Sequence, residues 1–487
     1  MRTADGDARN ASADLILRGG VVHSLCAGGE EATAIAVRDG RVARIGDDRA
    51  MRELTGPSTT VVDLGGRVVL PGVNDAHLHA TWLGALWPDT LFGGQAGLGP
   101  GPGPQRPLLD AAQRRRAILR AGDLLASLGI TSYTEPGLGP GEDEGATGAF
   151  GTSVVGEYRA LAAEGLLRAR VTVLSLYGEL DGPSDLEHFL AGLAATDATT
   201  SDPRWLRFAG VKIFADGIPP MKSAYTHHCY TDGVRPELLV AGADDTEREA
   251  NLTRMILAAH RLGLQVGVHA TGDRAIDVML DAIEQARREH DVDLGHYVIH
   301  GDLVTVPQLR RMAALGVGLD TQPEIALRTH PLVDAALGEG TATAAWPLRA
   351  VLDAGVPLCL TSDAPVLSPD WRRQIAAADA WMGPAADPRR RMDRLLRCYT
   401  VEPARQDRAA SWKGTLAAGM AADLCVLETD PYAVTPAELP HVSVDLTVVD
   451  GRIVYERGAA GKAGAVEAVQ TSGTSGVPET AEAAEIA

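Results

Sequence analysis

Asp244 to Leu262, followed by Gly263-Leu264-Gln265-Val266-Gly267-Val268-His269, reads as a helix leading into a short apolar strand that closes on a histidine. The same pairing recurs on both sides of it. Ala111 to Leu128 is helical and precedes a strand at Gly129 to Thr134, and helical Val154 to Glu164 precedes a strand at Ala169 to Leu176. Phe208 to Phe214 is a further strand. Downstream, helical Ala275 to His290 precedes Tyr297 to His300, Pro307 to Leu315 precedes Gly316 to Asp320, and Leu348 to Ala354 precedes Val356 to Asp363. About eight strand–helix repeats over ~340 residues predict an α/β chain folded as a (β/α)8 barrel with insertions. A doubly wound sheet shares this alternation, but no Gly-x-Gly-x-x-Gly follows a first strand.

The flanks read differently. Leu15 to Val22 and Ala34 to Ile45 are short strands, the second pair joined at Asp39-Gly40, where a tight hairpin needs positive φ. Thr60 to Leu64 and Arg67 to Leu70 add more β structure. Ala422 to Leu427 and Leu446 to Tyr455 repeat the pattern at the other end, with a second Asp-Gly-Arg hairpin at Asp450. Strands from opposite ends complete one small sandwich only if the middle folds as an inserted unit. The expected division is a β-sandwich from residues 14–70 and 412–457, a barrel from 71–411, and disordered ends at 1–13 and 458–487. Gly93 to Pro104, dominated by Gly and Pro, is read as an irregular loop near the barrel mouth.

Composition narrows the function classes. With 487 residues, 45% of them hydrophobic, the chain can bury a large core. A formal net charge of −19 argues against nucleic acid or an anionic membrane as partner. Cys26, Cys229, Cys359, Cys398 and Cys425 are scattered without Cys-x-x-Cys spacing, so neither a disulfide framework nor a structural zinc knot is expected. No window offers the ~18 consecutive apolar residues of a membrane helix, and Met1 to Ala13 lacks the apolar core of a signal peptide. A cytoplasmic protein acting on a small molecule is the expectation, with a homodimer as the simplest assembly.

Barrel enzymes carry their chemistry at the C-terminal ends of the strands. His77 and His79 close the first strand, in Val73-Asn74-Asp75-Ala76-His77-Leu78-His79; His269 closes the fifth, His300 the sixth and Asp363 the eighth. Residues i and i+2 on a strand share a face ~6.5 Å apart, so the His-x-His pair can converge on one metal ion. Lys212 sits inside apolar Val211-Lys212-Ile213-Phe214, where an unpaired ammonium is costly. Singly, each has an ordinary explanation: a hydrogen-bonded histidine at a strand end, or a helix cap for Asp363. Six on one rim do not.

These pieces resemble the amidohydrolase superfamily, and most closely its family 3 branch, which includes N-substituted formamide deformylases. The matching segments are Leu70 to His79, Val211 to Gly217, Val268 to Ile276, Val298 to Asp302, Thr361 to Val366 and Gly414 to Leu427, within a span from Asp14 to Arg457. The resemblance implies a divalent metal centre, zinc by preference, of one or two ions. Its ligands would be His77, His79, His269, His300 and Asp363, with Lys212 carrying a CO2-derived carbamate. Asp363 would be general base and then general acid in hydrolysis of a C–N bond other than a peptide bond. Ile299-His300-Gly301-Asp302 departs from the usual Glu-His-Ala pattern of the branch, which puts a hydrogen bond behind the ligand in question. Trp82, Tyr225 and Arg274 are the expected substrate contacts, and adjacent His227-His228 point apart and are not expected to ligate metal.

Three other readings compete. A lactonase or carbamate hydrolase would use the same water chemistry. A deaminase of the superfamily tends to place Glu three residues after the fifth-strand histidine, where this chain has Gly272. An inactive barrel scaffold would have lost ligands, and none is missing.

Overall fold

The computed structural model describes residues 12–29, 32–92, 107–108 and 110–458. The irregular Gly93 to Pro104 loop, most of the N-terminal stretch and the tail after Gly458 lie outside the described residues. Eight parallel strands form the central sheet in chain order: β1 (Val73–Asp75), β2 (Ile130–Leu138), β3 (Arg170–Leu176), β4 (Leu206–Phe214), β5 (Gln265–Ala270), β6 (Tyr297–His300), β7 (Gly318–Thr321) and β8 (Leu358–Leu360). β2 and β5 are buried at every residue, as strands covered by helices on the outside must be. The sheet is a nearly closed barrel. Its seam is bridged just beyond the strands: Asp363 N–H donates to His77 O at 2.9 Å and His79 N–H to Ala364 O at 2.6 Å.

The outer helices fall close to their predicted positions, among them Ala111–Ser127, Asp245–Arg261 and Asp273–Glu289. One region departs from the simple repeat. Between β7 and the helix Leu348–Ala354 lies an inserted helix, Pro323–Leu337, which begins one residue after Gln322. Proline fits there because the first helical position has no intrahelical N–H bond to lose.

Two further sheets flank the barrel. One has four strands, in the order Arg41–Gly46, Ala34–Arg38, Leu15–Arg18, Thr60–Asp63. The other has five and draws on both chain ends: Leu424–Leu427 pairs antiparallel with Val68–Pro71 on one side and Val444–Val449 on the other. Leu15, Leu17 and Val37 of the first sheet share a buried cluster with Val69, Leu424, Val426 and Val448 of the second. Both predicted hairpins are present, with φ of +52° and +71° at Asp39 and Gly40, and +51° and +75° at Asp450 and Gly451. Their tips touch. A Cβ on Gly40 would lie 2.8 Å from Asp450 Oδ1, so glycine is required there by contact as well as by φ.

An ion pair ties the barrel to the five-stranded sheet. Arg170, the first residue of β3, grips Asp423 bidentately at 2.7 and 3.0 Å and reaches Asp450 at 3.1 Å, with the pair almost wholly buried. Removing Asp423 takes away the bidentate partner and leaves the buried Arg170 with only the single contact to Asp450, so Asp423→Ala is expected to lower stability by about 3 kcal/mol, the low end for a broken buried pair. A urea midpoint lowered at unchanged slope checks this; an unchanged midpoint contradicts it. Among the described residues all five cysteines are free, and no helix is long and apolar enough to cross a membrane.

Candidate metal centre and active site

The C-terminal ends of the strands gather the six residues singled out in the sequence around one cavity of about 310 Å³. Beyond β1 the chain is braced by Asp75, a fully buried carboxylate that accepts the N–H groups of His77 at 3.3 Å and Ser362 at 3.2 Å. It thereby fixes the segments after β1 and β8 against each other. Burial pushes Asp75 up to about 7, against the pull of these hydrogen bonds. Asp363, three residues past β8 at φ +54°, places Oδ1 3.2 Å from His77 Nε2 and 3.4 Å from His79 Nε2.

His300 ends β6 at φ +74°. Its Nδ1 lies 2.8 Å from Gln322 Oε1, and Gln322 Nε2 donates to Thr361 Oγ1 at 2.8 Å. An acceptor on Nδ1 makes that nitrogen the proton carrier and leaves Nε2 with its lone pair free. Gln322 thus supplies the hydrogen bond that the Ile299-His300-Gly301 departure put in question. His269, in β5, sits beside Phe214 at 5.2 Å and beside His300 at 4.4 Å between ring centres. Behind it, Asp216 accepts backbone N–H groups from Tyr225, Thr271 and Gly272 at 2.8–2.9 Å, locking the segment after β4 to the end of β5.

Ligand atoms of His77, His300 and Asp363 lie within 4.8 Å of one another, the spread that one divalent ion with ~2 Å bonds can span after small rotations. Burial pushes His77 down to about 3 and His300 to about 4, and holds His269 well below the ordinary imidazole range. For Asp363 burial opposes ionisation, but His77, His79 and His300 outweigh it and keep the carboxyl well below its usual range. Neutral imidazoles beside an ionised carboxylate are the protonation states that metal binding requires. His77 Nδ1 and His79 Nδ1 are also buried without a hydrogen-bond partner. A donor set of this chemistry, with nitrogens left over, fits a divalent cation.

Lys212, two residues before the end of β4, is 2% exposed. Among the described residues its ammonium has no ion pair; it stands 4.5 Å from the Phe214 ring centre. Burial pushes it down to about 8, with Asp363, Asp181 and Asp320 opposing.

The rest of the cavity is mostly apolar. Trp82, Leu91, Phe92 and Phe214 form part of the lining, and Ile218, Pro220, Met221 and Ile325 another part. Trp82, expected as a substrate contact, is among the lining residues. Tyr225 and Arg274 are not among the lining residues: the guanidinium lies 4.6 Å from the Tyr225 ring centre, and both side chains bind Glu249. Of the polar loop from Met221 to Tyr230, only Met221 reaches the cavity; His227 pairs with Asp277 at 3.0 Å.

Sequence reasoning missed Gln322, although it is the first residue past β7 and the strand-end rule applied elsewhere points to it. It also missed Asp181, on the loop after β3, and gave no role to Asp302; both line the cavity. Asp302 Oδ1 accepts Trp346 Nε1–H at 2.9 Å. Glu135, near the end of β2, is fully buried behind His79, accepts the Tyr158 hydroxyl, and is pushed by burial up to about 7.

Residues 92–455 match the amidohydrolase family model, and the chain belongs to that family, in its family 3 branch. It is an enzyme acting on carbon–nitrogen bonds. It is similar to the N-substituted formamide deformylase of Arthrobacter pascens, at 27% identity over 91% of this chain and 98% of the relative. It is 26% identical to YtcJ of Bacillus subtilis, named for an amidohydrolase, over 91% and 99% of the two chains. The fold matches the crystal structure of an uncharacterized metal-dependent hydrolase from Pyrococcus furiosus with a TM-score of 0.67, at 22% identity, covering 86% of this chain and 99% of that one.

Proposed function

We propose that this enzyme hydrolyses an N-substituted formamide or another N-acyl amide at a divalent metal centre, zinc by preference, of one or two ions. The convergence of His77, His79, Lys212, His269, His300 and Asp363 on one largely apolar cavity carries this reading. His77 and His79 would hold one ion, His269 and His300 a second. Lys212 would bridge them as a carbamate. Its lowered pKa supports this, because only neutral amine adds to CO2: the nitrogen bonds the carbon and gives up a proton. Carboxylation also replaces a buried unpaired cation by a paired anion.

Bound metal supplies a polarised carbonyl and an acidified water. Asp363 takes the proton of the attacking water and delivers it to the departing nitrogen, which leaves as an amine rather than an amide anion. Gln322 keeps the His300 ring in one tautomer and orientation, and the apolar wall excludes bulk water while packing the substrate's apolar group. In the same reading, residues 14–70 and 412–457 form one β-sandwich domain, supported by the buried cluster their sheets share.

Steric evidence disfavours a deaminase. A Cβ at Gly272 would fall 2.1 Å from the Tyr225 carbonyl oxygen, so the position has no room for a glutamate's side chain. A hydrolysis screen on metal-analysed protein tests the proposal. N-formyl amines and neutral N-acyl amides are expected to be cleaved, and lactones and carbamates to be poor substrates. Turnover confined to lactones or carbamates contradicts the substrate class, and protein purified without stoichiometric metal and inactive after metal addition contradicts the chemistry.

A further inference from the structure

Among the described residues lining the cavity, Asp181 is the charged side chain without an evident task. It stands at φ +52° on the loop after β3, in an Asp-Gly pair that explains its backbone. The carboxylate is another matter. Aspartates in such turns normally accept a backbone N–H two residues on. Among the described residues this one accepts no hydrogen bond and forms no ion pair; it is exposed to solvent and stands at the cavity's edge beside Leu180, where an entering substrate passes it. The ionisable groups near enough to act on it include Lys212 and Asp363 of the proposed metal centre, and Glu142 on the other side.

The balance of charge around it is one-sided. Among the described residues lining the cavity there is no arginine, and the single lysine, Lys212, is committed to the metal centre. Asp302 adds a second carboxylate, held on one oxygen by Trp346. A substrate carboxylate would therefore meet no counter-ion outside the metal centre and would be repelled by Asp181. A cationic head would meet the unpaired Asp181 carboxylate at the edge of a cavity that Trp82, Phe92 and Phe214 also line, and aromatic rings attract cations. At about 310 Å³ the cavity is at the small end of ligand sites, with room for roughly one ring and an amide.

The geometry points to Asp181 as the specificity-determining residue: it selects compact apolar amides that carry a protonated amine and excludes those that carry a free carboxylate. This rests on the reading of the cavity as the site of amide hydrolysis. Three N-formylbenzylamines test it with the metal-loaded full chain: unsubstituted, para-aminomethyl and para-carboxylate. Wild type is expected to rank them by kcat/KM as cation, neutral, anion. In Asp181→Asn, which keeps the left-handed backbone acceptable, the cation-to-neutral ratio is expected to fall about tenfold, through KM rather than kcat. Asp181→Lys is expected to reverse the order of cation and anion. A ratio equal in wild type and Asp181→Asn, or a wild-type preference for the carboxylate, overturns the assignment. Calorimetric binding of the same three compounds gives the same ranking without turnover. Absence of formamide cleavage alone then sinks the proposed reaction, while the affinities still decide the role of Asp181.

Discussion

Asp363→Asn is expected to retain its metal and its substrate affinity while turnover falls by ~10²–10⁴, the usual worth of a general acid–base group. Asparagine keeps the size of the side chain and one oxygen donor, so His77, His79 and the backbone bond from Asp363 to His77 O lose little. What it cannot do is take up a proton at neutral pH. Without metal, the neighbouring histidines already hold the Asp363 carboxyl well below its usual range, so the group is ionised and available as a base, with protonation confined to acid pH. The acidic limb of the pH–rate profile is therefore expected to disappear in the variant along with most of its activity. Metal analysis, substrate titration and single-turnover rates separate the outcomes. Near-normal turnover means another group moves the proton; lost metal with lost activity means Asp363 acts first as a ligand.

How far the sequence reaches is clearest strand by strand. β5 and β6 were legible to within two residues because each is a short apolar run that stops on a histidine, and buried parallel strands leave no other pattern. The same rule located His77, His79 and Asp363, since the residues that matter there lie within a few positions of a strand end. Lys212 stood out because a lysine in an apolar strand conflicts with its surroundings, and such conflicts mark function. Tyr225 and Arg274 show the opposite case. They neighbour a motif in sequence, but the Asp216 clamp and Glu249 turn them to each other and away from the cavity. Asp181 and Asp302 reach the cavity from loops whose paths no periodicity encodes, and the Pro323–Leu337 helix brings in Ile325 from an insertion the repeat pattern does not contain. Substrate preference is therefore the least legible layer, because it is written by loops over a strand framework that fixes the chemistry.

Lys212→Ala is expected to abolish measurable turnover at ambient CO2 and to lower metal content together with it. A buried ammonium with no ion pair among the described residues is unfavourable at this position, and burial lowers its pKa to about 8, so a larger share is neutral amine than in a free lysine. Alanine removes that cost, so the variant is expected to fold at least as stably as metal-free wild type. The same property that destabilises the ammonium suits the amine to react with CO2, and the carbamate formed would supply an anionic ligand that no other residue on β4 can provide. Loss of that ligand leaves the histidines as neutral donors, with Asp363 the one anionic side chain among the proposed ligands to offset the charge of the bound metal. Short carboxylic acids such as acetate or propionate are small enough to enter the space vacated by the side chain and present an anionic oxygen pair in its place. Partial recovery of both metal and turnover on adding them, with no such effect on wild type, is the expected signature. Lys212→Ala with full metal content and undiminished turnover would remove the carbamate from the mechanism, and a single ion held by His77, His300 and Asp363 would have to carry the reaction.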